Sequence, residues 1–152
     1  MNKGYYHSPI GWLCVETSGD ELVGLSFVAR PGKEMGNGYT KRVINQLEEY
    51  FLGRRNTFDL AIKLDGTRFQ TRAWEALMQI PYGETVSYKE QAIMIGCPRG
   101  FRAVGNANGK NPIAIIVPCH RVIASNNTLG GYASGLNKKA WLLNHENKHR
   151  GA

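Results

Sequence analysis

The sequence predicts an α+β protein: a small N-terminal α+β domain over residues 1–63, then a mostly helical C-terminal domain over residues 64–152 with a helix-turn-helix of winged-helix-like type. Three observations carry this prediction. The first part of the chain alternates apolar and polar residues as strands do, and the remainder sets its apolar residues at helical spacing. In addition, Ser87-x-x-Glu90, a glycine-containing break and a second short helical pattern outline two helices around a turn.

The alternating stretches Trp12-Leu13-Cys14-Val15 and Leu22-Val23-Gly24-Leu25-Ser26-Phe27-Val28 flank Ser18-Gly19-Asp20, which predicts a β-hairpin. A glycine-rich connector (Pro31, Gly32, Gly36, Gly38) leads to a helix marked by Val43, Leu47, Tyr50 and Phe51 and closed by Gly53. A short strand is expected at 58–62, and residues 63–67 read as the linker. Phe69, Ala73, Leu77 and Ile80 then keep helical spacing up to Pro81. The Ser87/Glu90 capping box starts a helix over 88–95, Gly96-Cys97-Pro98-Arg99-Gly100 breaks it, and a second helix covers 101–108 before Gly109. The unbroken apolar run 113–117 is expected to be buried and is halted by Pro118. A last helix over 136–146 is expected to turn Trp141-Leu142-Leu143 to the core.

Composition narrows the function classes. No window approaches the roughly 18 apolar residues of a membrane helix, and Pro9, Gly11 and polar residues stand where a signal peptide needs its apolar run. Three cysteines leave one unpaired and show no disulfide framework, so an intracellular setting is expected. The net charge of +7 is uneven: residues 1–63 hold 8 basic against 7 acidic side chains, and residues 64–152 hold 11 against 5. Such asymmetry fits a polyanion partner, nucleic acid being the commonest, and equally a merely uneven surface. The glycine-rich stretch lacks a phosphate-binding pattern. Cys14, Cys97, Cys119 and His120 lack zinc-ligand spacing, so neither metal nor cofactor is expected.

Pro118-Cys119-His120-Arg121-Val122 is the stretch richest in chemistry. A cysteine of ordinary pKa, ~8.5, is about 3% thiolate at pH 7, and a nearby imidazole oriented by a carboxylate raises the reactive population roughly 30-fold, or about 2 kcal/mol. Glu146 and Asp65 are the carboxylates of the second half with no evident commitment to a helix face or cap. The same pair of residues also describes an inert buried cysteine beside a surface histidine. Cys14 and Cys97 read as packing residues, and Arg102 by itself as a solvated helix charge.

Taken together, Phe69-Gln70, Trp74, Ile80-Pro81-Tyr82-Gly83-Glu84-Thr85-Val86-Ser87-Tyr88, Arg102-Ala103-Val104-Gly105, Asn111-Pro112, Pro118-Cys119-His120-Arg121-Val122-Ile123, Gly130-Gly131-Tyr132 and Trp141-Leu142-Leu143-Asn144-His145-Glu146 resemble the O6-alkylguanine-DNA alkyltransferases. About 80 residues match that family in order and spacing, and the first 63 only in general character.

The resemblance implies direct-reversal DNA repair by a stoichiometric methylated-DNA–protein-cysteine methyltransferase. Cys119 would accept the alkyl group, His120 would act as base through a water, and Glu146 would hold the imidazole. The alkylated guanine would be flipped out of duplex DNA gripped by the minor groove, with Arg102 filling its place. Tyr88 would crowd the flipped phosphate and donate toward guanine N3. The carbonyls of Cys119 and Val122 would accept from the exocyclic amine, and the Ala133 N–H would donate to O6. Tyr132 and Ser134 complete the implied base pocket, and Asn111 would brace the Cys119 turn. Arg99, Ala103 and Ser125 would be further DNA contacts.

The resemblance further implies a monomer without membrane association, in the cytoplasm, with the nucleoid in a prokaryote or in the nucleus of a eukaryote. O4-methylthymine is a possible second lesion. Three departures stand out: Ala133 where serine is common, Ser134 where glycine is frequent, and Gly100-Phe101 where small residues precede the arginine. Phe101 is expected to be a core anchor rather than a wedge at the DNA. A cysteine hydrolase and a non-repairing alkylguanine-recognition module are the alternatives.

Overall fold

Strand β1 (Asn2–Ser8) opens the chain in a computed structural model that describes residues 1–150. The expected end of the second domain at 152 takes in Gly151 and Ala152, which lie outside the described residues. Two compact units emerge, Met1–Leu64 with Pro112–Ala114, and Asp65–Asn111 with Ile115–Arg150.

In the first unit β1 pairs antiparallel with β2 (Gly11–Ser18), and β2 with β3 (Glu21–Val28), in the order β1-β2-β3. The expected hairpin is therefore the second half of a three-stranded sheet. Strand β1 escapes the apolar pattern because only Gly4 and Ser8 of it are buried; its pairing with β2 holds it in place. Leu13, Val15, Leu22 and Leu25 form the inner face of the sheet.

Helix α1 (Gly38–Phe51) starts at Asn37, whose side chain accepts from Thr40 N at 3.0 Å while Thr40 Oγ1 accepts from Asn37 N at 2.8 Å. It buries Val43, Leu47, Tyr50 and Phe51, as their spacing predicts. The strand expected at 58–62 is absent: only Ile62 bridges, to Leu22. Side chains of α1 take the backbone groups that a ladder would use. Gln46 bonds both Asp59 N (2.9 Å) and Asp59 O (3.1 Å), and the Tyr39 hydroxyl accepts from Ala61 N at 2.7 Å. The apolar run 113–117 is not one element of the second domain, since Pro112 O accepts from Leu25 N (3.0 Å) and Ala114 N donates to Leu25 O (2.9 Å) within the first unit.

In the second unit, α2 (Arg68–Leu77) is capped by Thr67 and Gln70 and buries Ala73, Trp74, Ala76 and Leu77. It ends three residues before Ile80, whose N–H donates to Leu77 O in a tightened last turn, because Pro81 disfavours helical geometry at the residue before it. Strand β4 (Val86–Ser87) runs into α3 (Tyr88–Met94), where Ser87 Oγ accepts from Glu90 N and Glu90 Oε1 from Ser87 N, both at 3.0 Å. After a turn over 95–100 comes α4 (Phe101–Gly109), held by Trp74 Nε1 donating to Ala107 O at 2.8 Å. Ala76, Ala92, Ile95 and Val104 are the core between these helices, and Phe69, Cys97 and Phe101 pack against it.

Strand β5 (Val122–Ile123) pairs parallel with β4. Helix α5 (Leu136–His149) runs three residues past its expected end. Of Trp141-Leu142-Leu143 only Leu142 is fully buried; Lys139, His145 and Glu146 share that face with it. Among the described residues no helix is long and apolar enough to cross a membrane.

Candidate active site

The approach to Cys119 is a sequence of constraints. Ile115 is buried yet held at φ +70°, a region that β-branched residues avoid, so the run bends where a strand would continue. Val117 O then accepts from Asn111 Nδ2 at 2.7 Å, and the chain enters a short 3-10 turn, Cys119–Arg121, closed by Arg121 N donating to Pro118 O at 3.0 Å. A 3-10 turn has three residues per revolution, so consecutive side chains diverge by about 120°. Cys119 can thus line a cavity while His120 and Arg121 are directed into the interior.

Those two side chains converge on Glu146 of α5. His120 Nε2 lies 2.7 Å from Glu146 Oε2, Arg121 Nε donates to Oε1 at 2.7 Å, and Arg121 Nη2 donates to Oε2 at 3.0 Å. Arg121 Nη1 reaches Ile80 O at 2.8 Å. Burial by itself would raise the Glu146 carboxyl pKa, but His120 and Arg121 outweigh it and hold the group well below the usual carboxylate range. Burial pulls the His120 imidazole below its ordinary value against the opposing pull of Glu146, so the ring is neutral at pH 7. The carboxylate fixes the tautomer: Nε2–H donates to Glu146, leaving Nδ1 as an acceptor, buried and without a hydrogen-bond partner among the described residues.

Cys119 is a free, half-buried thiol in a cavity of about 110 Å³. Gly105, Asn108 and Gly109 of α4 form one wall; Gly131, Tyr132 and Ala133 form another, with Tyr88 of α3 beside them. Burial pushes the thiol above its ordinary pKa, while Asn111 and Lys139 work in the opposite direction. The resting group is therefore a thiol rather than the thiolate that a neighbouring histidine suggests, and no hydrogen bond joins it to His120 among the described residues.

Lys139 is fully buried, and its ammonium donates to Val122 O (2.6 Å), Gly131 O (2.9 Å) and Leu129 O. Burial lowers its pKa to about 8, opposed by the nearby Cys119. The Tyr88 hydroxyl accepts from Gly131 N at 3.2 Å, and Gly130, at φ +72°, lies so close to the Tyr88 ring that a Cβ would sit 2.8 Å from it.

The other expected site residues fall in several places. Tyr132 and Ala133 line the cavity, and the Tyr132 hydroxyl is buried without a partner, its pKa raised first by burial and then by Cys119. Ser134 is not among the lining residues. The Val122 carbonyl already serves Lys139, and the Cys119 carbonyl accepts from Val122 N, so each has one lone pair left. Arg102 and Ala103 are exposed near the start of α4, Arg99 is exposed in the preceding turn, and Ser125 lies in a separate cleft with Ser87 and Glu90. Asp65 is exposed. Among the described residues no three His, Cys, Asp or Glu side chains are grouped to hold a metal.

Arg121, Lys139 and Asn108 are site residues that the sequence reading passed over. Arg121 stood inside the singled-out motif; a lysine on the apolar face of the last helix was the available signal for Lys139.

Two family models match: the 6-O-methylguanine DNA methyltransferase ribonuclease-like domain over residues 1–64, and the DNA binding domain of the same family over residues 68–148. A methylated-DNA–protein-cysteine methyltransferase of Mycobacterium leprae is 48% identical over 149 residues, covering 94% of this chain and 90% of that protein. A protein of the same name from Methanosarcina barkeri is 56% identical over 105 residues, 69% of this chain and 66% of its own length. The crystal structure of Mycobacterium tuberculosis OGT in complex with DNA superposes with a TM-score of 0.87 at 45% identity, covering 95% of this chain and 93% of that one. From both units, in sequence and in fold, the chain belongs to the 6-O-methylguanine DNA methyltransferase family.

Proposed function

We propose that this protein repairs DNA by direct reversal, transferring the alkyl group of O6-alkylguanine, chiefly O6-methylguanine, to Cys119 in a single turnover. The observation that carries this reading is a free thiol lining a cavity in the same unit as a buried His120–Glu146–Arg121 network. Sulfur attacks the alkyl carbon in line with the C–O6 bond, a thioether forms, and O6 departs with the bond's electrons. The Cys119 proton goes to His120 Nδ1 through a water, with Glu146 countering the charge that forms on the ring. Tyr88 donates a hydrogen bond toward N3 of the departing guanine and keeps its proton, and the purine anion becomes plain guanine by taking up, through solvent, the proton that left Cys119.

The reading extends to the DNA. Residues 64–152 form the DNA-binding and alkyl-acceptor domain, with α3 and α4 as a helix-turn-helix set in the minor groove, and residues 1–63 are a supporting domain. Arg102 fills the place of the flipped nucleotide, and Arg99, Ala103 and Ser125 grip the strand. Val122 and Cys119 carbonyls receive the guanine amine on their remaining lone pairs, the Ala133 N–H serves O6, Tyr132 flanks the base, and Asn111 braces the turn. The protein acts as a monomer in the cytoplasm, with the nucleoid in a prokaryote, or in the nucleus of a eukaryote. The methyltransferase names of the relatives disfavour a hydrolase, and Cys119 itself disfavours a module that only recognises the lesion.

The test is intact mass after incubation with a duplex holding one O6-methylguanine. The expected gain is one methylene, ~14 Da, on Cys119, with plain guanine left in the DNA and no gain for Cys119→Ala. Free methanol or a released base over an unchanged protein mass overturns the proposal.

A further inference from the structure

Two amides form a buried pair behind the cavity. Gln91 Nε2 of α3 donates to Asn108 Oδ1 of α4 at 2.9 Å, and Asn108 Nδ2 donates back to Gln91 Oε1 at 2.8 Å. Gln91 Nε2 also donates to Ala73 O at 3.1 Å, which spends its second hydrogen. That third bond settles the orientation of both groups: a carbonyl accepts only, so the Gln91 nitrogen must face Ala73, and Asn108 must turn its oxygen to Gln91. Asn108 Nδ2 carries two hydrogens and uses one. Asn108 is 8% exposed and lines the same cavity as Cys119, so the residue that carries the unspent hydrogen stands at the cavity wall.

An apolar pair would fill this position without leaving a polar hydrogen to be satisfied. We propose that Asn108, oriented by Gln91, is a substrate-contact residue whose free N–H donates to an acceptor atom of the flipped O6-alkylguanine nucleotide. O6-alkylguanine offers several such acceptors in its ring nitrogens, and the donor lies in the cavity that holds the reacting sulfur. Alkyl transfer needs the carbon placed in line with Sγ, so a fixed donor on the α4 wall helps to set the depth and rotation of the base. Gln91 acts through Asn108 and is a positioning residue. The inference rests on the reading of the cavity as the base site.

The first test leaves both amides intact. In 15N-labelled Cys119→Ser protein titrated with O6-methylguanine free base, one Asn108 side-chain proton should shift strongly, and the one bonded to Gln91 should move little. If the backbone amides of Tyr132 and Ala133 shift while neither Asn108 proton does, the proposal is overturned. If nothing around the cavity shifts, the base-site reading fails with it, and an unalkylated Cys119 in the wild-type protein then identifies that failure separately.

The second test is the Gln91→Met/Asn108→Leu double variant, which removes both amides at similar volume and strands neither. Its second-order rate of Cys119 methylation by the free base should fall about tenfold, the size of one lost hydrogen bond. The fall should lie in the half-saturating concentration rather than in the limiting rate. A rate within twofold of wild type, in a variant that melts like wild type, overturns the proposal. If the double variant does not fold, the titration decides.

Discussion

Glu146 shows how burial and partners divide the control of a single group. It is 1% exposed, and removing its charge would leave the Arg121 guanidinium buried and unpaired. Glu146→Gln should therefore cost about 3–5 kcal/mol near pH 7 in urea unfolding. The folded carboxyl titrates below its unfolded value, near 4.3, so its stabilisation is complete above that pH and is lost as pH falls toward the folded value. The gap between wild type and Glu146→Gln should consequently narrow below about pH 4; a gap that widens in acid would contradict the assignment.

Lys139 gives a slope of the same sign in an alkaline window. Its folded pKa, about 8, lies below the ordinary 10.5, so between these values the unfolded chain binds more protons and stability rises with pH. Urea midpoints of wild type should climb relative to those of Lys139→Met between pH 8 and 10.5. Parallel curves would mean that the lysine does not titrate in this window.

Helix α4 combines a core face with an exposed start. Phe101 packs against Ala76, Ala92, Ile95 and Val104, and Lys89 and Arg102 lie 5.7 and 5.9 Å from its ring centroid. The aromatic ring that departs from the family pattern is therefore a core contact with cations near it, and Arg102 remains exposed. If Arg102 fills the gap left by the flipped nucleotide, Arg102→Ala slows repair of duplex DNA and spares reaction with the free base. Losing ~1.4 kcal/mol of that compensation slows the duplex reaction about tenfold. Single-turnover rates on the two substrates check this, and equal slowing would assign Arg102 to the fold of α4. Ile115 illustrates another compromise within an element. About 1–3 kcal/mol of backbone strain is tolerated there because a fully buried isoleucine returns a comparable amount and the bend sets up the turn at Cys119.

Across the whole molecule the excess positive charge falls in the part of the chain that matches the family's DNA binding domain. Residues 64–152 carry 11 basic against 5 acidic side chains, and neutralising phosphates releases counterions. Log Kd for a short duplex should rise steeply and linearly with log salt for wild type and for Cys119→Ala alike. A slope near zero would mean that the asymmetry is unrelated to DNA.

The sequence by itself determined the elements whose information is local. Ser87 and Glu90 mark the start of α3 because both partners of the box lie within one turn, and the apolar spacing in α1 states its buried face. The Pro-Cys-His-Arg-Val stretch singled out the thiol that lines the cavity because that turn is contiguous in the chain.

What only the tertiary structure decided involves partners far apart in sequence. Strand β1 is held by its neighbour rather than by its own pattern, and 58–62 lost its ladder to Gln46 and Tyr39. Arg121 shares Glu146 across 25 residues, Lys139 gathers carbonyls 8 to 17 residues away, and Gln91 orients Asn108 across 17. Burial is the physical reason. A buried polar group must find a partner wherever the fold brings one, and its protonation follows from that partner and from the loss of water, neither of which is written in its sequence neighbours.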